Sequence, residues 1–454
     1  MSNDAAPLRA AIVGAGPAGF YAADQLLKAG FEVDLYDALP TPFGLVRSGV
    51  APDHPKIKSV TRMYTKTARS DGFRFFGGVR LGEDIAREEL CERYAAVLYA
   101  IGTPTDKRLG IPGEDRPGSH AATEFVAWYN GHPDYTDEAF DLSGGRAVVI
   151  GNGNVALDVA RMLVLDPSEL APTDTADHAL DAFGTATVDE VVLLGRRGPA
   201  EASFTNPELR ELGDLRRADV IVDPAQLEGV AEPEDPTRRR NVEILRDYAG
   251  REPAGKSHRI ELRFLRSPVE ILGAGDDGPV TGVRVAINEL VDGRAVPTGE
   301  EEVIECGLVL RSIGYRGQPV AGIPFDERRG LIRNLGGRVC EEDGAPCPGE
   351  YVVGWIKRGP SGVIGTNKKD AADTVARIVE DRDAGALRQP AGGDEIEAWL
   401  VERAPDVVTW EGWEAIDAHE SATGEPLGRP RVKLVRVAHM REIAAAARAT
   451  TAGS

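Results

Sequence analysis

Cysteine is scarce in this chain of 454 residues: Cys91, Cys306, Cys340 and Cys347 are all there are, and no two form a CxxC pair. A zinc site, a protein-bound iron–sulfur cluster and a thioredoxin-type dithiol all lack their ligand spacing, so no metal is expected. Scattered cysteines read as the reduced thiols of a cytoplasmic protein. Basic residues are also short, 53 against 73 acidic, for a formal net charge of −20. That balance argues against a general affinity for nucleic acid or anionic membrane, and an acidic partner needs a local basic patch. No uninterrupted apolar run approaches the ~20 residues of a membrane span. Residues 1–8 carry Asp4 and no basic n-region, so an unprocessed chain is expected. What remains, 42% apolar and 28% charged residues, is the composition of a folded soluble protein. At about 150 residues each, two to four domains are expected.

The richest local signal is glycine. An apolar run over 9–13 ends in Gly14-Ala-Gly-Pro-Ala-Gly19; helical spacing follows over 21–29, then a second strand over 32–36. Gly14, Gly16 and Gly19 complete the GxGxxG pattern, and Asp37 closes the second strand where an acceptor for a ribose hydroxyl is needed. The succession returns as a strand over 146–150, the turn Gly151-Asn-Gly-Asn-Val-Ala156, a helix over 157–165 and a strand over 190–194. Here the third position is Ala156, and the second strand ends in Gly195-Arg196-Arg197 instead of an acid. Guanidinium groups bind a 2′-phosphate that a carboxylate would repel, so this unit is expected to take NADP. Two such units predict an α/β fold with two Rossmann-like dinucleotide domains, a flavin dinucleotide in the first and a pyridine nucleotide in the second. A disulfide reductase would need a reactive cysteine pair soon after the first unit, and residues 40–57 have none.

Further along, residues 166–187 read as a surface insertion, residues 259–265, 269–272, 280–290 and 303–313 as strands, and residues 444–454 as a frayed tail. Thr237-Arg-Arg-Arg240 and Arg246 form a basic group on a helix.

The chain closely resembles the adrenodoxin reductase type of ferredoxin–NADP reductase, in particular its bacterial members. The resemblance spans nearly the whole sequence. It rests on Ala11-Ile-Val-Gly-Ala-Gly-Pro-Ala-Gly19, Gly44-Leu-Val-Arg-Ser-Gly-Val-Ala-Pro-Asp-His-Pro-Lys56, Val149-Ile-Gly-Asn-Gly-Asn-Val-Ala-Leu-Asp-Val-Ala-Arg161, Gly195-Arg-Arg-Gly-Pro199 and Gly354-Trp-Ile-Lys-Arg-Gly-Pro-Ser-Gly-Val-Ile-Gly-Thr-Asn-Lys368. It implies FAD held by Ala15, Asp37, Leu45, Leu81, Trp355 and Gly362, Val363 and Ile364. NADP(H) would be held by Asn152, Gly153, Asn154, Val155, Arg196, Arg197, Glu208 and again Gly362. The family's usual acid at Asp37 is Glu; either carboxylate accepts from a ribose.

His54, flanked by Pro52 and Pro55 in a segment expected to be extended, becomes by the same resemblance a flavin-site histidine with Glu211 as a companion. The resemblance also implies an acidic ferredoxin partner, docking at Arg238, Arg239, Arg240 and Arg246, with Lys357, Arg358, Lys368 and Lys369 adding to the field. The flavoprotein subunit of glutamate synthase shares both nucleotide units, but it normally carries cysteine-rich motifs before the first. The expected architecture is an FAD domain of residues 1–101 and 322–454, with an NADP domain of residues 102–321 inserted.

Overall fold

The computed structural model describes residues 7–390 and 395–452. Two compact units divide the chain, Met1–Thr105 with Tyr315–Ser454, and Asp106–Gly314. The bounds read from sequence stand four residues before the first crossing and seven after the second, since local pattern does not mark where a chain changes cores.

The first unit is built on a seven-stranded sheet in the order Asn334–Leu335, Arg338–Cys340, Pro346–Val352, Ala96–Tyr99, Arg9–Val13, Glu32–Asp37 and Phe73–Gly77. The five strands from Pro346–Val352 to Phe73–Gly77 are parallel. Ala10, Ala11 and Ile12 are fully buried, as expected of a central parallel strand covered on both faces. One face packs Ile12, Leu35 and Leu98 against Phe20, Tyr64 and Trp410; the other packs Tyr36, Phe76, Tyr94 and Val97.

The second unit carries a six-stranded parallel sheet in the order Ser119–Ala121, Leu308–Arg311, Arg146–Ile150, Glu190–Leu194, His258–Arg263 and Ala218–Val222. An antiparallel sheet of Arg266–Gly273, Val280–Val291 and Arg294–Glu305 adjoins it. Its second hairpin turns at Asp292 and Gly293, both with positive φ (50° and 70°), as a tight two-residue connection requires.

Three expectations are corrected. Residues 166–187 are no bare insertion: they form helices Pro167–Leu170 and Asp177–Thr185, whose Leu170, Ala179 and Phe183 enter the core. The run 303–313 is two strands, because the chain leaves the antiparallel sheet after Glu305 and joins the parallel one at Leu308, with Gly307 between. The tail continues as helix Val437–Ala452, with Ala444 buried against Gly412; residues 453–454 lie outside the described residues. Among the described residues no helix is long and apolar enough to cross a membrane.

Candidate functional site

Each unit presents one loop built for close approach of a ligand. In the first, Gly14 has φ +113°, and a Cβ there would stand 2.4 Å from the Ala100 carbonyl oxygen. A Cβ on Gly19 would stand 2.0 Å from the Gly14 oxygen, whereas one on Gly16 meets nothing within 4 Å. Two glycines therefore serve the turn and the helix–strand packing, and the middle one leaves an open face. Gly16 is the N-cap of helix Pro17–Lys28, which has neither a side-chain cap nor an acid in its first turn. Its free N–H groups suit a pyrophosphate.

Asp37 Oδ2 accepts from the Ala15 N–H at 2.7 Å and Oδ1 from the Leu39 N–H at 2.9 Å. The carboxylate thus braces the loop and keeps lone pairs for a further donor. Burial pushes its pKa up to about 6, against the pull of the Leu39 and Ala15 N–H groups and of Arg80. Ribose hydroxyls would favour the charged form, so FAD binding should weaken as pH falls through this value. Fluorescence titration of the apoprotein should give a dissociation constant roughly tenfold higher at pH 5 than at pH 7; one that stays constant would remove Asp37 from the ribose.

The neighbouring segments close around this loop. Phe43 donates its N–H to the Ala15 carbonyl at 2.8 Å, and a Cβ on Gly44 would stand 3.0 Å from Gly16 Cα. Leu45 follows, exposed, at the start of helix Leu45–Ser48; Leu81 is half-buried beside the cluster of Tyr36, Phe76 and Val79. Gly354 has φ +80°, and a Cβ there would stand 2.8 Å from Ala18 Cβ, so the returning chain lies on the first turn of the dinucleotide helix. The Asp370 carboxylate fixes it there, accepting from the Gly354 N–H at 2.6 Å and from Lys357 Nζ at 2.7 Å. Trp355 Nε1 is buried without a hydrogen-bond partner. Gly362 has φ +81°, Val363 donates its N–H to Thr366 Oγ1 at 3.1 Å, and Ile364 packs on the core. The open face at Gly16, the free helix terminus and the orphaned indole N–H fit FAD.

His54 is in a turn, not an extended segment: its N–H donates to the Ala51 carbonyl at 3.0 Å, and it caps the helical turn Pro55–Lys58. The Pro55 ring favours that turn as its first residue.

In the second unit Gly151 has φ +140°, and a Cβ there would stand 2.1 Å from the Ser312 oxygen; Gly153 meets nothing closer than Ser203 Oγ at 3.6 Å. Gly153 caps helix Asn154–Val164, again without a side-chain cap or first-turn acid. Ala156 places its methyl in the core. Asn154 Oδ1 accepts from the Thr205 N–H at 2.8 Å, and the Asn152 carbonyl accepts from the Ser203 N–H at 3.1 Å, with half-buried Val155 beside them. Arg196 and Arg197 are exposed and in no ion pair among the described residues, while their carbonyls are pinned by Asn288 Nδ2 at 3.0 Å and the Leu265 N–H at 3.1 Å. A fixed backbone carrying two exposed guanidinium groups, with only a 3.5 Å contact from Arg197 Nη2 to the Glu201 carbonyl, fits a 2′-phosphate.

Helix Asn206–Gly213 adds two acids. Glu208 Oε2 is buried without a hydrogen-bond partner, and Glu211 Oε2 lies 4.0 Å from Arg161 Nε. Arg161 is buried and donates to Asp158 Oδ1 at 2.9 Å; burial pushes its pKa down to about 10, opposed by Glu211 and Glu208. Sequence reading missed Arg161, though it ends one of the quoted motifs. His54 belongs to the first unit and Glu211 to the second.

The basic group is narrower than its composition suggested. On helix Pro236–Ala249, Arg239 pairs with Glu232 at 2.9 Å, Arg240 pairs with Glu243, and Arg246 donates to the Val230 carbonyl at 3.1 Å. Lys357 pairs with Asp370 at 2.7 Å, and Arg358, bound to Asn367, lies 3.7 Å from the same carboxylate, so the two cations share one acid; Lys368 and Lys369 are exposed.

A family model described as an NAD(P)-binding Rossmann-like domain matches residues 12–76. The chain is 51% identical to the NADPH-ferredoxin reductase FprA of Mycobacterium tuberculosis over 96% of this chain and 99% of that one. It is 42% identical to the mitochondrial NADPH:adrenodoxin oxidoreductase of Salvelinus fontinalis, over 98% and 93%. The solved structure of Mycobacterium tuberculosis FprA in complex with NADPH superposes with a TM-score of 0.92 at 50% identity, covering 97% of this chain and 100% of that one.

Proposed function

Because the chain belongs to the NADPH-ferredoxin reductases of the adrenodoxin reductase type, we propose that it draws hydride from NADPH through FAD and delivers single electrons to a ferredoxin-type iron–sulfur protein. Bound FAD supplies the conversion between a two-electron donor and a one-electron acceptor. The observation that carries this reading is the contrast between the two loops: one is closed by an acid, Asp37, and the other by the exposed pair Arg196 and Arg197. The first unit is the FAD domain and the second the NADP domain. Asn152, Gly153, Asn154 and Val155 receive the pyrophosphate and Glu208 a polar atom of the nucleotide. Gly362, Val363 and Ile364 present backbone to the flavin edge. The setting is the cytoplasm, where four free thiols persist. Purified protein should be yellow and bleach anaerobically with NADPH; a colourless chain that takes up no FAD overturns the reading.

His54 and Glu211 are positioning groups. Hydride transfer depends chiefly on ring distance and alignment and needs no protein base. Each Ala variant should keep FAD and diaphorase activity with a modestly slower reduction in stopped flow. Loss of about 10²-fold or more in a folded, FAD-loaded variant would instead make the residue an acid–base catalyst. The ferredoxin contacts assigned to the second unit are Arg238 and Arg246, since Arg239 and Arg240 are already paired.

A further inference from the structure

One surface of the first unit breaks with the rest of the chain. Residues 55–70 hold five basic side chains, Lys56, Lys58, Arg62, Lys66 and Arg69, and no acid, in a protein of net charge −20. The helix Thr61–Ala68 buries Tyr64, Thr67 and Ala68, and the Tyr64 ring stacks on Phe20 of the dinucleotide helix at 4.9 Å between centroids. The opposite face carries Arg62, Met63 and Lys66 at helical spacing, all exposed. Ile57 (40% exposed) and Met63 (36%) lie among these charges. Lys56, Arg62 and Lys66 make no ion pair among the described residues, whereas Arg69 pairs with Glu414 at 2.8 Å. An ordinary solvated face would interleave both signs. Exposed apolar side chains next to basic residues with no acid in the same segment are instead suited to a transient, electrostatically steered interface.

Its position suits a carrier of single electrons. The segment starts one residue after His54, and its helix rests on the same Pro17–Lys28 helix whose N-terminus forms the dinucleotide loop. We infer that the outward face of residues 56–66 is a docking surface for the acidic iron–sulfur protein, with Lys56, Arg62 and Lys66 meeting its carboxylates and Ile57 and Met63 its apolar contact. The inference rests on the proposed function and adds to it a surface of the FAD domain.

The test uses full-length, FAD-loaded protein, Arg62→Glu with Lys66→Glu, the milder Arg62→Ala with Lys66→Ala, and Arg238→Glu with Arg246→Glu for comparison. Acidic [2Fe–2S] and [4Fe–4S] ferredoxins serve as probes, across a range of ionic strength. The first variant should lose about tenfold in kcat/KM for ferredoxin at low salt, with a flattened salt dependence, since steering of that size is typical of charged encounters. The alanine pair should lose less, and ferricyanide reduction and FAD content should stay at wild-type values. A wild-type salt profile in the Arg62/Lys66 variants, or loss confined to Arg238/Arg246, overturns this surface and leaves the activity standing. Wild-type enzyme that bleaches with NADPH yet reduces neither ferredoxin overturns the partner and the surface together.

Discussion

Replacing Arg196 and Arg197 by neutral residues should lower kcat/KM for NADPH on the order of 100-fold and leave NADH nearly unchanged. Charge-assisted hydrogen bonds to a 2′-phosphate contribute about 3 kcal/mol together, and each 1.4 kcal/mol is a factor of ten. An exposed ion pair is ordinarily worth less, because ordering two long side chains costs entropy and water screens the charge. Here both guanidinium groups extend from a backbone fixed through Asn288 and Leu265; Arg197 gives up only a 3.5 Å contact to the Glu201 carbonyl, and neither must first release an acid. Steady-state kinetics with both nucleotides reads the effect. An equal loss for NADH would mean that the substitutions disturb the loop and that the pair does not read the phosphate.

Glu420→Ala should destabilise the first unit by about 3–5 kcal/mol, the cost of orphaning a buried charge. Glu420 is fully buried and accepts from Arg47 Nη1 at 2.9 Å and from the Leu434 N–H at 2.8 Å. Arg431 adds a contact at 3.3 Å. Without the carboxylate, Arg47, itself buried, keeps its charge with no acid against it, and the Leu45–Ser48 helix beside the dinucleotide loop loses its tie to helix Trp410–Gly424. Burial alone would raise the Glu420 pKa, but Arg47, Arg431 and the Leu434 N–H outweigh it and hold the carboxyl below its usual range. A lowered native pKa stabilises above the unfolded value of about 4.3 and is lost as pH falls through the native one. The stability gap between wild type and variant should therefore be full at pH 7 and shrink below about pH 4. Urea unfolding monitored by flavin fluorescence measures it; coincident midpoints at pH 7 would contradict the role.

The sequence made these sites legible where backbone geometry dictates residue type. Gly14 and Gly151 have positive φ and no room for a Cβ, so the glycine pattern is forced by structure and can be read back from it. The places of Asp37 and Arg196–Arg197 at the ends of their strands were legible because they sit a fixed distance along a strand–turn–helix–strand unit. What escaped are pairings between distant segments, which no periodicity encodes: Asp370 on the Gly354 N–H, Arg161 near Glu211, Asn154 on Thr205, and Arg47 with Glu420 across 373 positions. The errors have the same origin. Leu170 and Phe183 are too sparse in a polar stretch to announce a packed segment, and Gly307 gives no sign that two sheets meet there. The pairing of Arg240 with Glu243 is the exception, since i,i+3 spacing on a helix could have revealed it.

This chain converts one two-electron donor into two one-electron deliveries. Anaerobic addition of limiting NADPH to FAD-loaded protein with excess oxidised ferredoxin, followed by absorbance, tests it most directly. Two ferredoxins should be reduced per NADPH consumed. NADPH oxidation with no ferredoxin reduced would contradict it.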